Sequence, residues 1–186
     1  MRIAAPVERT DAQVVRDVLA GDRDAYRLFV RRYGDALHGH ALRMAGNADE
    51  AADLVQRAFV QGFRRLHTCK DPERVGAWLF RIAANLCKDH VRSRRRSRHV
   101  PLGPLADVVR GATDPEADAR AAETRTRVWA ALQELTPEQR EAFVLKHVEG
   151  RSYEEIAAVM DLSVASLKMR VYRAREALKG LLRELA

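Results

Sequence analysis

Apolar residues recur along this chain at a spacing of three and four, and no strand-like alternation of apolar and polar residues appears, so the pattern predicts an all-α fold. Residues 1–10 lack periodicity. A short helix is expected from Asp11 to Ala20, and Gly21-Asp22 interrupts it. Asp22 is then expected to cap a longer helix in which Ala25, Leu28, Phe29, Leu37, Ala41 and Met44 share a face, and Gly46-Asn47 stops it. Asn47, followed by Glu50, opens the next helix, with Ala51, Leu54, Val55, Ala58, Phe59 and Phe63 inward. A polar connector from His67 to Gly76 contains Asp71-Pro72, where the Pro suits a first helical turn. The helix beyond it carries Trp78, Leu79, Ile82, Ala83, Leu86 and Val91 on its apolar side and ends in the cationic run KDHVRSRRRSRH.

Pro101, Gly103, Pro104 and Gly111 then open a stretch that cannot hold a regular helix. Asp114-Pro115 caps a helix reaching Leu135. Thr136-Pro137-Glu138-Gln139 is a capping box, in which hydroxyl and amide each satisfy an orphan backbone donor, and its helix carries Ala142, Phe143, Leu145 and Val148 to Gly150. Ser152 and Glu155 form another box ahead of Tyr153, Ile156, Ala157 and Met160 on one face. After Asp161 and Leu162, Ser163 caps a last helix with Val164, Leu167, Val171, Ala174 and Leu178 inward. Its outer face carries Ser166, Lys168, Arg170, Arg173 and Arg175. A short helix, a tight turn and a longer helix with a cationic face form the pattern of a helix-turn-helix, whose second helix fits the major groove. A solvated basic face on a structural helix would share the charge pattern, but turn length, caps and clustered cations together favour DNA binding.

The expected architecture is therefore two small helical domains, residues 11–99 and 115–186, joined by a flexible acidic linker at 100–114, with the helix-turn-helix at the end of the second. Charge sharpens this division. The 186-residue chain has a formal net charge of +7, which favours an anionic partner. Residues 1–99 carry a net +8, residues 100–123 a net −3, and residues 124–186 a net +2.

Other chemistry finds little support. There are two cysteines, no secretory leader and no apolar run long enough to cross a bilayer, so a reducing cytoplasm is the expected compartment and a membrane protein is not. Cys87 and His90 can share a helix face, and His67 lies near Cys69, but neither pair has a partner pair at metal-ligand spacing. No metal and no other cofactor is expected. A nuclease would need a carboxylate cluster or a positioned nucleophile and base, and the acids here are scattered or sit in caps. An enzyme is thus not expected, nor a small-molecule substrate. A stand-alone helix-turn-helix regulator remains an alternative, expected to bind paired half-sites as a dimer.

Three stretches in order and spacing carry a resemblance: LVQRAFVQGFRRL, WLFRIAANLCKDHVRSRRR, and the pair LTPEQREAFVLKHVEGRSYEEIA with LSVASLKMRVYRAREAL. Together they resemble the extracytoplasmic-function sigma factors of bacterial RNA polymerase, from about Asp24 onward. The resemblance implies a subunit that binds core RNA polymerase and directs it to promoter DNA, with a separate anti-sigma factor as a further partner. It places Asp53, Leu54, Val55 and Gln56 on the core-binding segment, where Asp53 and Gln56 suit docking on a coiled coil with basic positions. It places Trp78, Asn85 and Lys88 in the region that opens and holds the minus-ten element. There Lys88, Arg92, Arg94, Arg95, Arg96 and Arg98 would form a cationic track for phosphates, and Asn85 would offer donor and acceptor to a base edge. Trp78 falls on the apolar side with Ile82, which favours core over stacking platform. Ser166, Lys168, Met169, Arg170, Tyr172 and Arg173 match the positions that read the minus-thirty-five element in duplex form, while Arg175 and Lys179 suit phosphate or the helix dipole. Three residues depart from the family pattern: Arg57 where an acid is usual, Val75 where an aromatic is common, and Met169 where a small polar residue is frequent.

Overall fold

A computed structural model describes residues 9–97 and 115–184; the expected linker and Arg98 lie outside the described residues. Within these bounds the chain forms eight α-helices and no strand. The N-terminal domain holds α1 (Asp11–Leu19), α2 (Arg27–Ala45), α3 (Ala48–Arg65) and α4 (Val75–Ser97). The C-terminal domain holds α5 (Pro115–Glu134), α6 (Pro137–Phe143), α7 (Tyr153–Met160) and α8 (Val164–Glu184).

Local chemistry explains most of the boundaries. Thr10 and Gln13 form a capping box at the start of α1. Asp22 accepts from the Ala25 amide, but it caps a 3₁₀ turn (Arg23–Tyr26) rather than α2 itself. Gly46 ends α2 in the left-handed region at φ +77°, and the Asn47 side chain caps α3 through the Glu50 amide at 3.0 Å. The boxes at Thr136/Gln139 and Ser152/Glu155 both form as the sequence predicts. A π-turn over Val144–Val148 continues α6, and Val148, expected inward, is 52% exposed as a result. Phe63, also expected inward, is 37% exposed at the last turn of α3, where its ring meets Tyr26 edge-on.

In the N-terminal domain α2, α3 and α4 pack on one another, with α1 laid against α4 and the turns. In the C-terminal domain α8 packs on α6, with α7 and α5 beside it. The two domains then close on each other, since α4 also packs against α6 and α7. One apolar cluster runs through both. It includes Phe29, Leu37, Leu79 and Phe80 from the first domain and Leu145, Ile156, Met160 and Leu167 from the second. Full burial of such side chains contributes about 1.5–3 kcal/mol each to the fold as a whole. The helical pattern alone implied two separate cores.

Candidate polymerase and nucleic-acid interfaces

The α3 segment splits by helical phase. Leu54 is 1% exposed and holds the core, and Val55 is half-buried. Asp53 and Gln56 are exposed, with the Arg57 guanidinium 3.4 Å from the Asp53 carboxylate one turn on. Val60, Arg64 and Leu86 border the same shallow depression as Asp53 and Gln56. Val60 is 46% exposed, an apolar residue amid polar ones, and its place one turn beyond Gln56 was the signal available in the sequence.

On α4 the expected cationic track is largely occupied. The Lys88 ammonium lies 3.0 Å from Glu141 Oε2, and Glu141 belongs to α6 and is fully buried. Arg92 pairs with Asp89 at 2.9 Å and also with Glu138 of α6. Arg95 donates to the Glu134 carbonyl at the end of α5 at 2.8 Å. Arg94 turns back into its own domain, donating to Glu50 at 2.6 Å. Arg96 and Asn85 are exposed. Along the expected cationic track, helical phase sends successive members to different partners. Trp78 is half-buried at the rim of a depression formed with Thr68, Lys70, Asp71, Arg74 and Arg81. Its edge position suits both packing and a wall for a ligand. Ala158 of α7 also lines it, and Arg81 pairs with Asp161 at the end of that helix.

On α8, Ser166, Lys168, Met169, Tyr172 and Arg173 are exposed and Arg170 is half-buried. Met169 and Tyr172 are 53% and 51% exposed, so an apolar and an aromatic surface lie beside the cations. Ser166, Met169, Arg170 and Arg173 line a depression with Thr136, Glu138 and Gln139 at the start of α6. Thr136 and Gln139 were legible only as caps. Arg175 and Lys179 both lie near Glu176, the latter at 2.8 Å, which suits a solvated edge.

Between the domains lies a polar cluster that helical patterning did not foretell. Arg140 is 1% exposed, and its guanidinium donates to the carbonyls of Leu132 (2.9 Å), Gln133 (2.9 Å) and, across the joint, Met44 (3.0 Å). Burial pulls its pKa down to about 10, still far enough above neutrality to keep the charge. His40 is fully buried with Nδ1 2.8 Å from Glu149 Oε1. Arg151 reaches the other oxygen of Glu149 at 3.2 Å and stacks over Phe80 at 3.9 Å. Burial works against the Glu149 carboxylate, but its hydrogen bond with His40 and the charges of His40, Arg151 and Arg43 prevail and lower its pKa. At Glu141 burial prevails over Lys88 and His40, and the pKa is raised.

Cys87 is buried, His90 is 3.1 Å from Glu50, and among the described residues no three His, Cys, Asp or Glu side chains converge as metal ligands. Among the described residues no helix is long and apolar enough to cross a membrane.

Comparison with known proteins gives this geometry a family. Residues 29–97 match the model of sigma-70 region 2, and residues 125–178 match that of sigma-70 region 4. The chain is 34% identical to the RNA polymerase sigma-H factor of Pseudomonas aeruginosa, covering 96% of each chain. It is 31% identical to the ECF RNA polymerase sigma-E factor of Escherichia coli K12, covering 91% of this chain and 92% of that one. Among solved structures it resembles CnrH in complex with the cytosolic domain of CnrY, with a TM-score of 0.65 and 31% identity over 95% of this chain and 99% of that one. It also resembles the sigma factor RpoE of Bartonella quintana bound to the anti-sigma factor NepR, with a TM-score of 0.60 and 27% identity over 85% of this chain and 96% of that one. With both sigma regions matched in order along the chain and relatives at 34% and 31% identity over nearly its whole length, this chain belongs to the extracytoplasmic-function sigma factors of bacterial RNA polymerase.

Proposed function

We propose that this chain is an alternative sigma factor that binds core RNA polymerase through α3, holds the minus-ten element along α4 and reads the minus-thirty-five element with α8. Its family comprises DNA-binding transcription-initiation factors. The observation that carries the reading is the division of labour along α3, where Leu54 packs inward while Asp53 and Gln56 stay at the surface for a partner. Such a face suits docking on a polymerase coiled coil. The exposed Lys168, Met169, Tyr172 and Arg173 suit the major groove, where Arg pairs with guanine edges and apolar groups meet thymine methyls. The proposed domain limits are 11–99 and 115–186, with 100–114 as the connection.

Nothing in this role requires catalysis by the chain itself, and the proposed site of action is the cytoplasm, where polymerase and promoter are found. An anti-sigma factor is the proposed antagonist, supported by the likeness to a sigma factor solved with one. Co-purification with core RNA polymerase, followed by run-off transcription on genomic fragments, tests the reading. Polymerase-dependent initiation at a discrete set of promoters is expected. Sequence-specific duplex binding as a dimer, with no polymerase dependence, would favour the stand-alone regulator instead.

A further inference from the structure

Along α8 the buried residues Leu167, Val171, Ala174 and Leu178 define one line of the helix. At 3.6 residues per turn, the line opposite to them runs through Ala165, Met169, Tyr172 and Glu176, all four exposed. The N-terminal turns of a recognition helix meet base edges, and the line farthest from the core reaches deepest toward the groove floor. In this chain that stretch is apolar. It presents the methyl group of Ala165 and, one turn on, the 53% exposed side chain of Met169.

The polar groups of the same turns stand to the sides. The Ser166 hydroxyl lies 2.9 Å from that of Ser163, within the helix cap. The Lys168 ammonium leans toward the Tyr153 ring, 5.6 Å from its centroid. Arg170 is half-buried in the depression it lines with Glu138 and Gln139, and Arg173 flanks the apolar line on that side.

The Met169 sulfur is at most a weak acceptor and Ala165 has no polar side-chain atom, so neither decodes the donor and acceptor pattern of a base pair. The major groove carries one apolar mark, the C5-methyl group of thymine, and apolar side chains recognise it by contact. Met is unbranched and adaptable, and so settles over a methyl group without strain. Met169 is also a departure from the family pattern, which makes this chemistry particular to the chain.

We infer, on the assignment of α8 to the minus-thirty-five element made above, that Met169 with Ala165 beside it is a thymine reader. The upstream element then includes an A·T pair whose thymine methyl packs on these two side chains, and discrimination at that pair comes from the methyl group and not from hydrogen bonds. Position 169 is thereby a determinant of which promoters this sigma factor selects, with Arg173 setting preference at a neighbouring pair. Because 5-methylcytosine carries a methyl group on the same ring carbon, cytosine methylation at that pair is read as thymine is.

The test uses holoenzyme, formed from the full chain and core polymerase, on a promoter fragment recovered by run-off transcription. Each thymine in either strand of the upstream element is replaced singly by deoxyuridine, which removes the methyl group and keeps every hydrogen-bonding group. Competition binding reads relative affinity. At one pair, deoxyuridine is expected to weaken binding about fourfold, the worth of one buried methyl group. At that pair 5-methylcytosine should bind better than cytosine by a similar factor. Met169→Ser should erase both differences, and Met169→Leu should keep them by restoring an apolar surface. Both variants change an exposed side chain, and far-UV circular dichroism with core binding checks that the fold is intact.

If no thymine of either strand shows a methyl effect, or if the effect persists in Met169→Ser, methyl reading is overturned. Lys168→Ala with Arg173→Ala separates that failure from a failure of the α8 assignment. Full upstream preference in this double variant would mean that α8 does not read the element, and both ideas fall. Preference lost there, with no methyl effect in the wild type, would leave α8 as the reader and remove Met169 from the base contacts.

Discussion

Trp129 of α5 lies against Gly46, the residue that ends α2, so closely that a Cβ at position 46 would overlap the indole ring at Cζ2. Gly46 is also at φ +77°, where L side chains are strained. One glycine therefore serves two purposes, a helix stop and a seat for a ring from the other domain. Gly46→Ala is expected to lower stability by about 1–3 kcal/mol, from overpacking and from the positive φ together. Urea denaturation measures it. Repeating the substitution in a Trp129→Ala background should recover the overpacking part alone, and additive costs would show that the ring contact carries none of it.

On α3 two neighbours should fail in different ways. Asp53→Arg with Gln56→Ala is expected to weaken binding to core polymerase while helicity and melting temperature hold, because both side chains are exposed. Leu54→Ala should instead cost about 2–5 kcal/mol of stability, being a core truncation. Wild-type affinity for core in the double variant would remove α3 from the docking surface.

The two DNA-facing helices should separate in a promoter assay. Arg173→Ala is expected to cost about 1–3 kcal/mol in upstream-element binding and to relax base preference there. Replacing Arg94, Arg95 and Arg96 by Ala should weaken open-complex formation nearly evenly across sequences. It should also flatten the log–log salt dependence by about 0.7 for each phosphate of the single strand that is no longer neutralised. Arg94 is bound to Glu50, so it is expected to contribute less of that slope than Arg96. Loss of upstream preference in the triple variant, with Arg173→Ala inert, would reverse the two assignments.

Glu149 makes stability depend on pH. Its folded pKa lies below the ordinary value of 4.5, so its contribution is present above that value and is lost as pH falls through the lowered folded one. Glu149→Gln is expected to cost about 1–2 kcal/mol at neutral pH, with the gap to wild type closing in acid. Urea midpoints measured from neutral pH downward check this. A gap that is constant with pH would mean that the carboxylate charge contributes nothing.

Because one apolar cluster spans both domains, separating them covalently should not separate them physically. A protease site introduced within residues 100–114 and then cut is expected to yield two fragments that co-elute in size-exclusion chromatography at low salt. Independent elution at micromolar concentration would show the joint to be weak, and would also count against a closed free state.

Helix boundaries and helix faces are set by near neighbours along the chain. Thr136/Gln139 and Ser152/Glu155 set helix starts because a cap is satisfied within four residues, and Gly46 and Asn47 mark a stop and a start for the same reason. The 3.6-residue period likewise separated Leu54 from Asp53, and Leu167 and Val171 from Lys168 and Arg173, since one face of a helix must leave water. Phe63 and Val148 broke that rule at a helix end and in a π-turn, where the period itself changes or stops. The fate of the charges, by contrast, depends on how the helices pack. Arg140, His40 and Glu141 carry no signal in the helical pattern and Lys88 reads as a phosphate contact, yet each meets a partner from the other domain. No period records such pairing, because an ion pair forms where two surfaces meet, and where they meet depends on how the whole apolar cluster packs.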